Sequence, residues 1–461
     1  MRALHLGNIA NMAFSYCDIL RSYGDKDECV SYDLTHPCSV PDNSLKTHSS
    51  EHLDWYYFIK TKKRVQEINA DFYLGWIKFL EEDFDLSRHH SYFYNNLVQE
   101  RVINDFFISQ DMAFGYSYAS IPLMINGSIP YVPVEIVNFR DIHFKNDAFS
   151  QLFLASCLCA PHVIITNPDT YNEVQKVGLK SYSFIPHPVN EDLWRRKPQL
   201  LISSEWKNLK SNVDLLVVAP ARHDWVDKGN DRYIKAFARL VKDGVNARLV
   251  LNEWGKDIDK SKKLISELDI SQKVKWFPLL PEQDLLKLFN VADVIIDQCG
   301  IPDTFGMITP KAMSCGLPVI TKYKHKINKW AFPERPPLLA AEDEDSIFSF
   351  LKSLACNYNA YKDLSSYARE WIKKYHSKNV VKQKFDEVKK IVKNKKGNYE
   401  TFNRLVVARK KWEQEACIQM DYKDIKQKLL EKIDWIALKK IRKIYPDIYI
   451  SRLVKIIFGE A

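Results

Sequence analysis

At 461 residues the chain can bury two ordinary cores, and its 46% hydrophobic and 13% aromatic content is enough to fill them. Nine cysteines, an odd number without the paired spacing of a metal site, fit a reducing compartment better than a disulfide framework. The net charge of +9 is concentrated in residues 381–461, where 21 Lys and Arg face 11 Asp and Glu; the near-neutral body has no zinc-finger, RRM or KH pattern, which argues against nucleic acid as a partner.

The first residues, MRALHLGNIANMAF, lack an apolar core of signal-peptide length, and no apolar run reaches the roughly 18 residues of a spanning helix. The expected location is the cytoplasm. Arg2–Leu6 reads as a short strand, Gly7–Asn11 as a turn and Met12–Tyr23 as an apolar-periodic helix stopped by Gly24. A lone glycine in that turn is not a dinucleotide fingerprint, which needs three. Residues 38–100 are aromatic-rich and irregular; Trp55, Tyr56, Tyr57, Tyr73 and Trp76 read either as core or as the acceptor side of a cleft. Phe106–Gln110, Pro130–Glu135 and His162–Thr166 read as strands, with a helix over Phe149–Cys159, an alternation that predicts a parallel sheet. His143, a single histidine after a strand, reads as a structural hydrogen-bonder.

Phe184–Asn190, FIPHPVN, reads as a strand ending in a proline-bounded turn, Glu191–Asn212 as a polar connector and Leu215–Ala219 as the start of a second sheet. Arg222 and Lys228 lie on the loop before a helix over Asp231–Leu240. Arg248–Asn252 and Val274–Phe277 continue the strands, and Glu282–Ala292 is a helix. Val294–Asp297 is a β-branched run suited to a buried parallel strand, and Cys299–Gly306 leaves its carboxyl end, where ligands bind in open α/β sheets. Thr309 is placed to cap the next helix and Pro310 to occupy its first position. The N–H groups of Gly306, Met307 and Ile308 would then face an anion such as phosphate.

Ser346–Ala355 and Ala360–Tyr375 read as further helices. In the tail, Ile425, Leu429, Ile433, Ile436, Ile441 and Ile444 recur at helical spacing among lysines and arginines, and Ile448–Phe458 is nearly all apolar. That pattern fits either an interfacial membrane anchor or a helical extension docked on the protein.

The stretch ADVIIDQCGIPDTFGMITPKAMSCGLPVI, Ala292–Ile320, resembles the donor-binding motif of retaining GT-B glycosyltransferases of the family-4-like group, the glycosyl transferases group 1. Asp303, Phe305, Gly306, Ala312, Met313, Cys315, Gly316, Pro318 and Val319 fall in register with it. The family's two glutamates map onto Asp303, which keeps a carboxylate, and Lys311, which replaces one by a cation. The resemblance implies an α/β GT-B fold with two Rossmann-like domains facing a cleft: residues 1–190 on the acceptor side, 191–380 on the donor side, and 381–461 as a basic helical extension.

By the same resemblance the donor is a nucleotide sugar, with no cofactor and no bound metal. Arg222 and Lys228 would hold its diphosphate, Gly306, Met307 and Ile308 would add backbone donors, and Asp303 would orient the sugar, with Phe305 in the same donor-side set. Gly7 and Asn8 would face the donor phosphates or the acceptor, the alternative being an ordinary tight turn. In VEIVNFRDIHF, Glu135, Arg140 and Asp141 match the family, whereas Ile136 and Val137 stand where a His-Gly pair is expected. Lys311 either binds an acidic donor group, the favoured expectation, pairs with a carboxylate, or turns to solvent. The expected activity is sugar transfer with retention to a glycan or lipid-linked glycan in envelope or capsule polysaccharide biosynthesis, at the inner face of the membrane. The alternatives are a catalytically silent GT-B subunit that scaffolds a partner enzyme and a sugar-nucleotide epimerase.

Overall fold

A computed structural model describes residues 2–7, 12–32, 56–59, 111–120, 123, 130–136, 139–140, 148–196 and 204–393. The first sheet comprises β1 (Ala3–Leu6), β2 (Glu28–Tyr32), β3 (Tyr56–Ile59), β4 (Met112–Tyr116), β5 (Tyr131–Glu135), β6 (Val163–Ile165) and β7 (Tyr182–Phe184). Its order is β3-β2-β1-β4-β5-β6-β7, every pair parallel. The helices of this half are α1 (Met12–Ser22), α2 (Ala148–Cys159) and α3 (Tyr171–Lys176). The strand beside β1 is Met112–Tyr116; the expected strand Phe106–Gln110 lies outside the described residues. MAFGY carries no β-branched residue, so composition does not mark it as a strand, yet all five of its residues are buried.

The second sheet comprises β8 (Leu215–Ala219), β9 (Ala247–Asn252), β10 (Val274–Phe277), β11 (Val294–Ile296), β12 (Val319–Thr321) and β13 (Leu339–Ala340), in the parallel order β10-β9-β8-β11-β12-β13. Its helices are α4 (Ser204–Lys210), α5 (Trp225–Lys228), α6 (Asn230–Lys242), α7 (Ile258–Glu267), α8 (Glu282–Val291), α9 (Ile308–Ser314), α10 (His325–Asn328), α11 (Glu344–Cys356) and α12 (Lys362–Tyr375). β8, LLVVA, is buried along its whole length, as a parallel strand covered on both faces must be. Helix α4 falls within the stretch expected to be a polar connector.

The chain passes between the halves twice. After β7 it runs through Pro186–Pro188, and Trp194 then docks beside α9, its carbonyl accepting from Ser314 Oγ at 2.6 Å. It returns at His376–Ser377 into α13 (Lys378–Lys393). Val381, Phe385, Val388 and Val392 of α13 recur every three or four residues and join the core of the first sheet. The expected boundary at residue 380 therefore cuts a helix, and residues 381–393 belong with the first half. The tail periodicity and its membrane reading fall in residues 394–461, outside the described residues. Among the described residues no helix is long and apolar enough to cross a membrane.

Candidate functional site

Both sheets reverse strand order beside a central strand: β1 has β2 on one side and β4 on the other, and β8 likewise separates β9 from β11. Loops leaving the carboxyl ends of such strands diverge and open a crevice. In the second sheet these are the loop from Ala219 to α5 and the loop from Ile296 to α9. Two glycines press them together. A Cβ on Gly300 would lie 2.3 Å from the Asp227 carbonyl carbon and oxygen, and one on Gly229, which has φ +63°, would lie 2.7 Å from the Cys299 carbonyl. With no Cβ in the way, Cys299 N–H donates to Lys228 O and Ile301 N–H to Val226 O, both at 2.9 Å.

This clasp fixes Lys228. Its ammonium donates to Gln298 Oε1 at 2.5 Å, while Gln298 Nε2 donates to Thr304 O at 2.5 Å. Burial pulls the Lys228 amine down to about 8; the charges of Arg222 and Arg140 push the same way and Asp297 opposes them. Arg222, on the loop leading into α5 and half-buried like Lys228, donates to Asp227 Oδ2 at 2.7 Å and Asp224 Oδ2 at 3.4 Å. Asp224 N-caps α5, and Asn230 binds the loop across its neck through Asp224 N–H at 2.8 Å and Arg222 O at 3.2 Å.

The start of α9 differs from expectation. Thr309 is not its cap: the helix begins at Ile308, and the buried Asp297 carboxylate accepts from Gly306 N–H at 2.8 Å, Thr309 N–H at 3.3 Å and Thr309 Oγ1–H at 2.7 Å. The Gly306 donor expected for a phosphate is thus already bound by a carboxylate of the chain. The side chain of Met307 packs against the first half's core and that of Ile308 against the second's, which leaves the expectation for their N–H groups as it stood. Phe305 is likewise a core residue, 3% exposed and stacked on Tyr323 and Phe332 with centroids 5.7 and 5.6 Å away, which removes its ring from any ligand surface.

Asp303 lies on the crevice loop, half-buried, and its Oδ1 is paired with Lys322 at 2.9 Å and Lys324 at 3.1 Å. Burial would raise its carboxyl, but the two lysines hold it below the usual range. Lys311 is paired with Glu282 in the first turn of α8 and stands over the Trp194 ring, 4.9 Å from its centroid. The favoured expectation of an anion-binding Lys311 is thereby replaced by the carboxylate pairing. Across the crevice, Gly7 has φ +84°, and a Cβ there would lie 2.9 Å from Ala119 Cβ; Asn8 is outside the described residues. Arg140 is locked by Asp169 at 2.9 and 3.0 Å, and Glu135 accepts from Phe139 N–H at 3.0 Å; Asp141 and His143 lie outside the described residues.

Sequence reasoning therefore finds Arg222 and Asp303, which lie on the crevice loops, and Lys228, which ends the short helix α5 rather than a loop, and misses Asp297, Gln298 and Glu282. For Asp297 one signal was available: a carboxylate ending a buried strand needs donors, and a glycine-led helix start supplies them. Among the described residues no cluster of three His, Cys, Asp or Glu is arranged to hold a metal ion.

Residues 203–371 match the model of the family described as glycosyl transferases group 1. An uncharacterized glycosyltransferase of Methanocaldococcus jannaschii is 28% identical over 122 residues, a stretch covering 24% of this chain and only 31% of that relative. Among solved structures, Anabaena HepE in complex with UDP and glucose superposes with a TM-score of 0.61 at 16% identity, over 84% of this chain and 99% of HepE. Sucrose-phosphate synthase from Thermosynechococcus elongatus gives 0.61 at 13% identity, over 85% and 98%. The chain has the GT-B fold, and the stretch that matches the glycosyl transferases group 1 model lies in its second half.

Proposed function

We propose that this protein of GT-B fold is a group 1 glycosyltransferase that moves a sugar from a nucleotide-sugar donor to a glycan or lipid-linked glycan. The observation that carries the reading is the half-buried Lys228 ammonium, bonded to Gln298 and near enough to Asp297 to feel its charge, at the carboxyl ends of β8 and β11, with Arg222 on the loop that leads into α5. In such a transfer the bond from the anomeric carbon to the diphosphate breaks, and the leaving nucleoside diphosphate keeps the electron pair. Its oxygens gather charge that a preorganised, poorly hydrated cation stabilises better than water does. Lys228 is the main cation in this scheme and Arg222 the outer one. Asp303 orients sugar hydroxyls with the oxygen its lysines leave, and Gly7 lets the phosphates approach the first half.

The chemistry draws on the chain's own cations and asks for no cofactor. Retention of configuration follows from the family resemblance, and the basic, partly apolar sequence of the tail favours a lipid-linked glycan of envelope or capsule assembly at a cytoplasmic membrane face. UDP-linked sugars are the first donors to test, because HepE was solved with UDP. A thermal-shift panel of nucleoside diphosphates and their sugars on the full chain tests the reading. A ligand at about 100 times its Kd adds roughly 2.7 kcal/mol to the stability of the folded state, a clear rise in Tm. No rise with any member overturns the donor site. A second reading, a silent GT-B subunit, is favoured by the Gly306 N–H bound to Asp297 and by Lys311 tied to Glu282. Nucleotide binding without turnover of any sugar nucleotide would select it.

A further inference from the structure

The crevice loop around Asp303 carries more positive charge than its one carboxylate balances. Lys322 and Lys324 follow β12, and both ammoniums close on the same atom, Asp303 Oδ1, at 2.9 and 3.1 Å. The Asp303 carbonyl is held as well, accepting from Lys324 N–H at 3.0 Å and from Asn328 Nδ2 at 2.8 Å. Contacts tie this unit to the cation proposed for the diphosphate. Lys228 donates to the Gln298 amide oxygen, the Gln298 amide nitrogen donates to Thr304 O, next in the chain to Asp303, and Lys322 N–H donates to Gln298 O at 2.7 Å. One glutamine therefore spaces Lys228 from the pair of lysines. The cluster is also open to solvent: the side chains of Lys324 and Asp303 are 41% and 24% exposed, and that of Lys322 is 13% exposed.

One lysine would neutralise Asp303. The second leaves a positive charge over and sets two ammoniums side by side on one oxygen, a repulsion that a further anion relieves. Glu342, whose charge also reaches Lys324, is exposed and does little to relieve it. An ammonium has three N–H donors and no acceptor. Lys322 directs one to Asp303 and one to Ile301 O, at 3.0 Å, and Lys324 directs one to Asp303, so one donor of Lys322 and two of Lys324 remain beside the carboxylate. Asp303 Oδ2 is left to accept. A sugar that matches this set offers a hydroxyl to Oδ2 and an anionic group to the lysines.

We infer that the donor sugar is a uronic acid, its carboxylate bound by Lys322 and Lys324 while a neighbouring hydroxyl donates to Asp303 Oδ2. The inference rests on the donor reading above and narrows it to a class of sugar. A neutral hexose would leave the surplus cation facing a hydroxymethyl group, which carries no charge to meet it.

The test is calorimetry on the full chain with two matched pairs, UDP-glucose against UDP-glucuronic acid and GDP-mannose against GDP-mannuronic acid, and with UDP and GDP alone as references. Within a pair the only difference is a carboxylate in place of a hydroxymethyl group. For the base that binds, the acid is expected to bind about tenfold or more tighter than the neutral sugar. Lys324→Met and Lys322→Met are each expected to bring that ratio down by about threefold or more. A ratio taken within one variant is not mimicked by lost stability, and should Lys322→Met not fold, the more exposed Lys324→Met decides. Equal binding of acid and neutral sugar by the wild type, or a preference that survives Lys324→Met undiminished, overturns the inference, while binding of UDP or GDP leaves the donor site standing. A wild type that binds neither nucleoside diphosphate and none of the four sugar nucleotides overturns the donor reading and this inference with it.

Discussion

Lys228, at the end of α5, and Arg222, on the loop leading into it, differ in how far their charges are already compensated. The Lys228 ammonium meets an amide oxygen, whereas the Arg222 guanidinium meets the carboxylates of Asp227 and Asp224. An incoming diphosphate therefore gains more from the lysine. Lys228→Ala is expected to weaken nucleoside-diphosphate binding roughly tenfold or more, from a charge-assisted contact of about 1.5–3 kcal/mol, and Arg222→Ala to cost less. Calorimetry on both variants checks the order; a larger loss for Arg222→Ala would reverse the assignment. Lys311 is a different case. Its side chain is 12% exposed and that of Glu282 is 19% exposed, so removing either partner leaves a poorly hydrated charge. Lys311→Met and Glu282→Gln should each destabilise by about 2–3 kcal/mol, while the double variant Lys311→Met, Glu282→Leu recovers most of the loss, as urea unfolding would read. Additive losses would mean that the pair is not coupled. That a cation at 311 departs from the family motif was plain in the sequence. Its partner, 29 positions earlier, was not, because only the packing of α8 beside α9 brings the two together.

At the scale of elements, legibility followed side-chain type. LLVVA at β8 and VII at β11 are near-continuous β-branched and aliphatic runs, and their strands fall where periodicity places them. MAFGY at β4 was missed because its strand character comes from its neighbours β1 and β5, not from its own residues. The start of α9 was misread for a related reason: a threonine before a proline is a local cap signal, but the buried Asp297 carboxylate outcompeted it from nine residues before Gly306. The clasp between the crevice loops was legible only as two glycines. Its consequence is testable. In Gly300→Ala the methyl would need the Asp227 backbone to move from 2.3 Å, which separates Lys228 from Gln298. Overpacking of this kind typically costs about 1–3 kcal/mol, and nucleoside-diphosphate affinity should fall alongside Tm. A variant that lost stability yet bound nucleotide normally would show that the clasp does not position Lys228.

At the scale of the whole molecule, α13 closes the structure by docking on the first half through buried charge as well as its apolar stripe. Lys389, 7% exposed at its side chain, pairs with Asp27 and Asp25 at 2.9 Å, and Asp27 also receives His5 Nε2 at 3.0 Å, while His5 Nδ1 lies 2.7 Å from the Tyr116 hydroxyl. A neutral His5 satisfies both contacts by donating from Nε2 and accepting at Nδ1. Burial lowers its pKa, with Asp27 only partly offsetting this. For Asp27 burial alone would raise the carboxyl, but His5 and Lys389 hold it below the usual value, so its contribution persists until the pH falls through that lowered pKa. The histidines fail sooner. His376 and His223 are lowered to about 4, and His187 to about 3, each chiefly by burial. An unfolded histidine takes up its proton near pH 6.5 while these folded ones do not, so stability is fully present above that value and drains away as the pH falls from 6.5 toward 4. Between pH 7 and pH 5 each should remove on the order of 1–2 kcal/mol, and the urea midpoint should drop accordingly. The return helix supplies the control. Lys389→Met leaves Asp27 buried without its cation and should cost about 3–5 kcal/mol at pH 7. It leaves the fall between pH 7 and pH 5 in place, because the hinge histidines His187 and His376 and the more distant His223 still have to charge. A flat urea midpoint from pH 7 to pH 5 in the wild type would contradict the neutral burial of these rings, whatever the variant does.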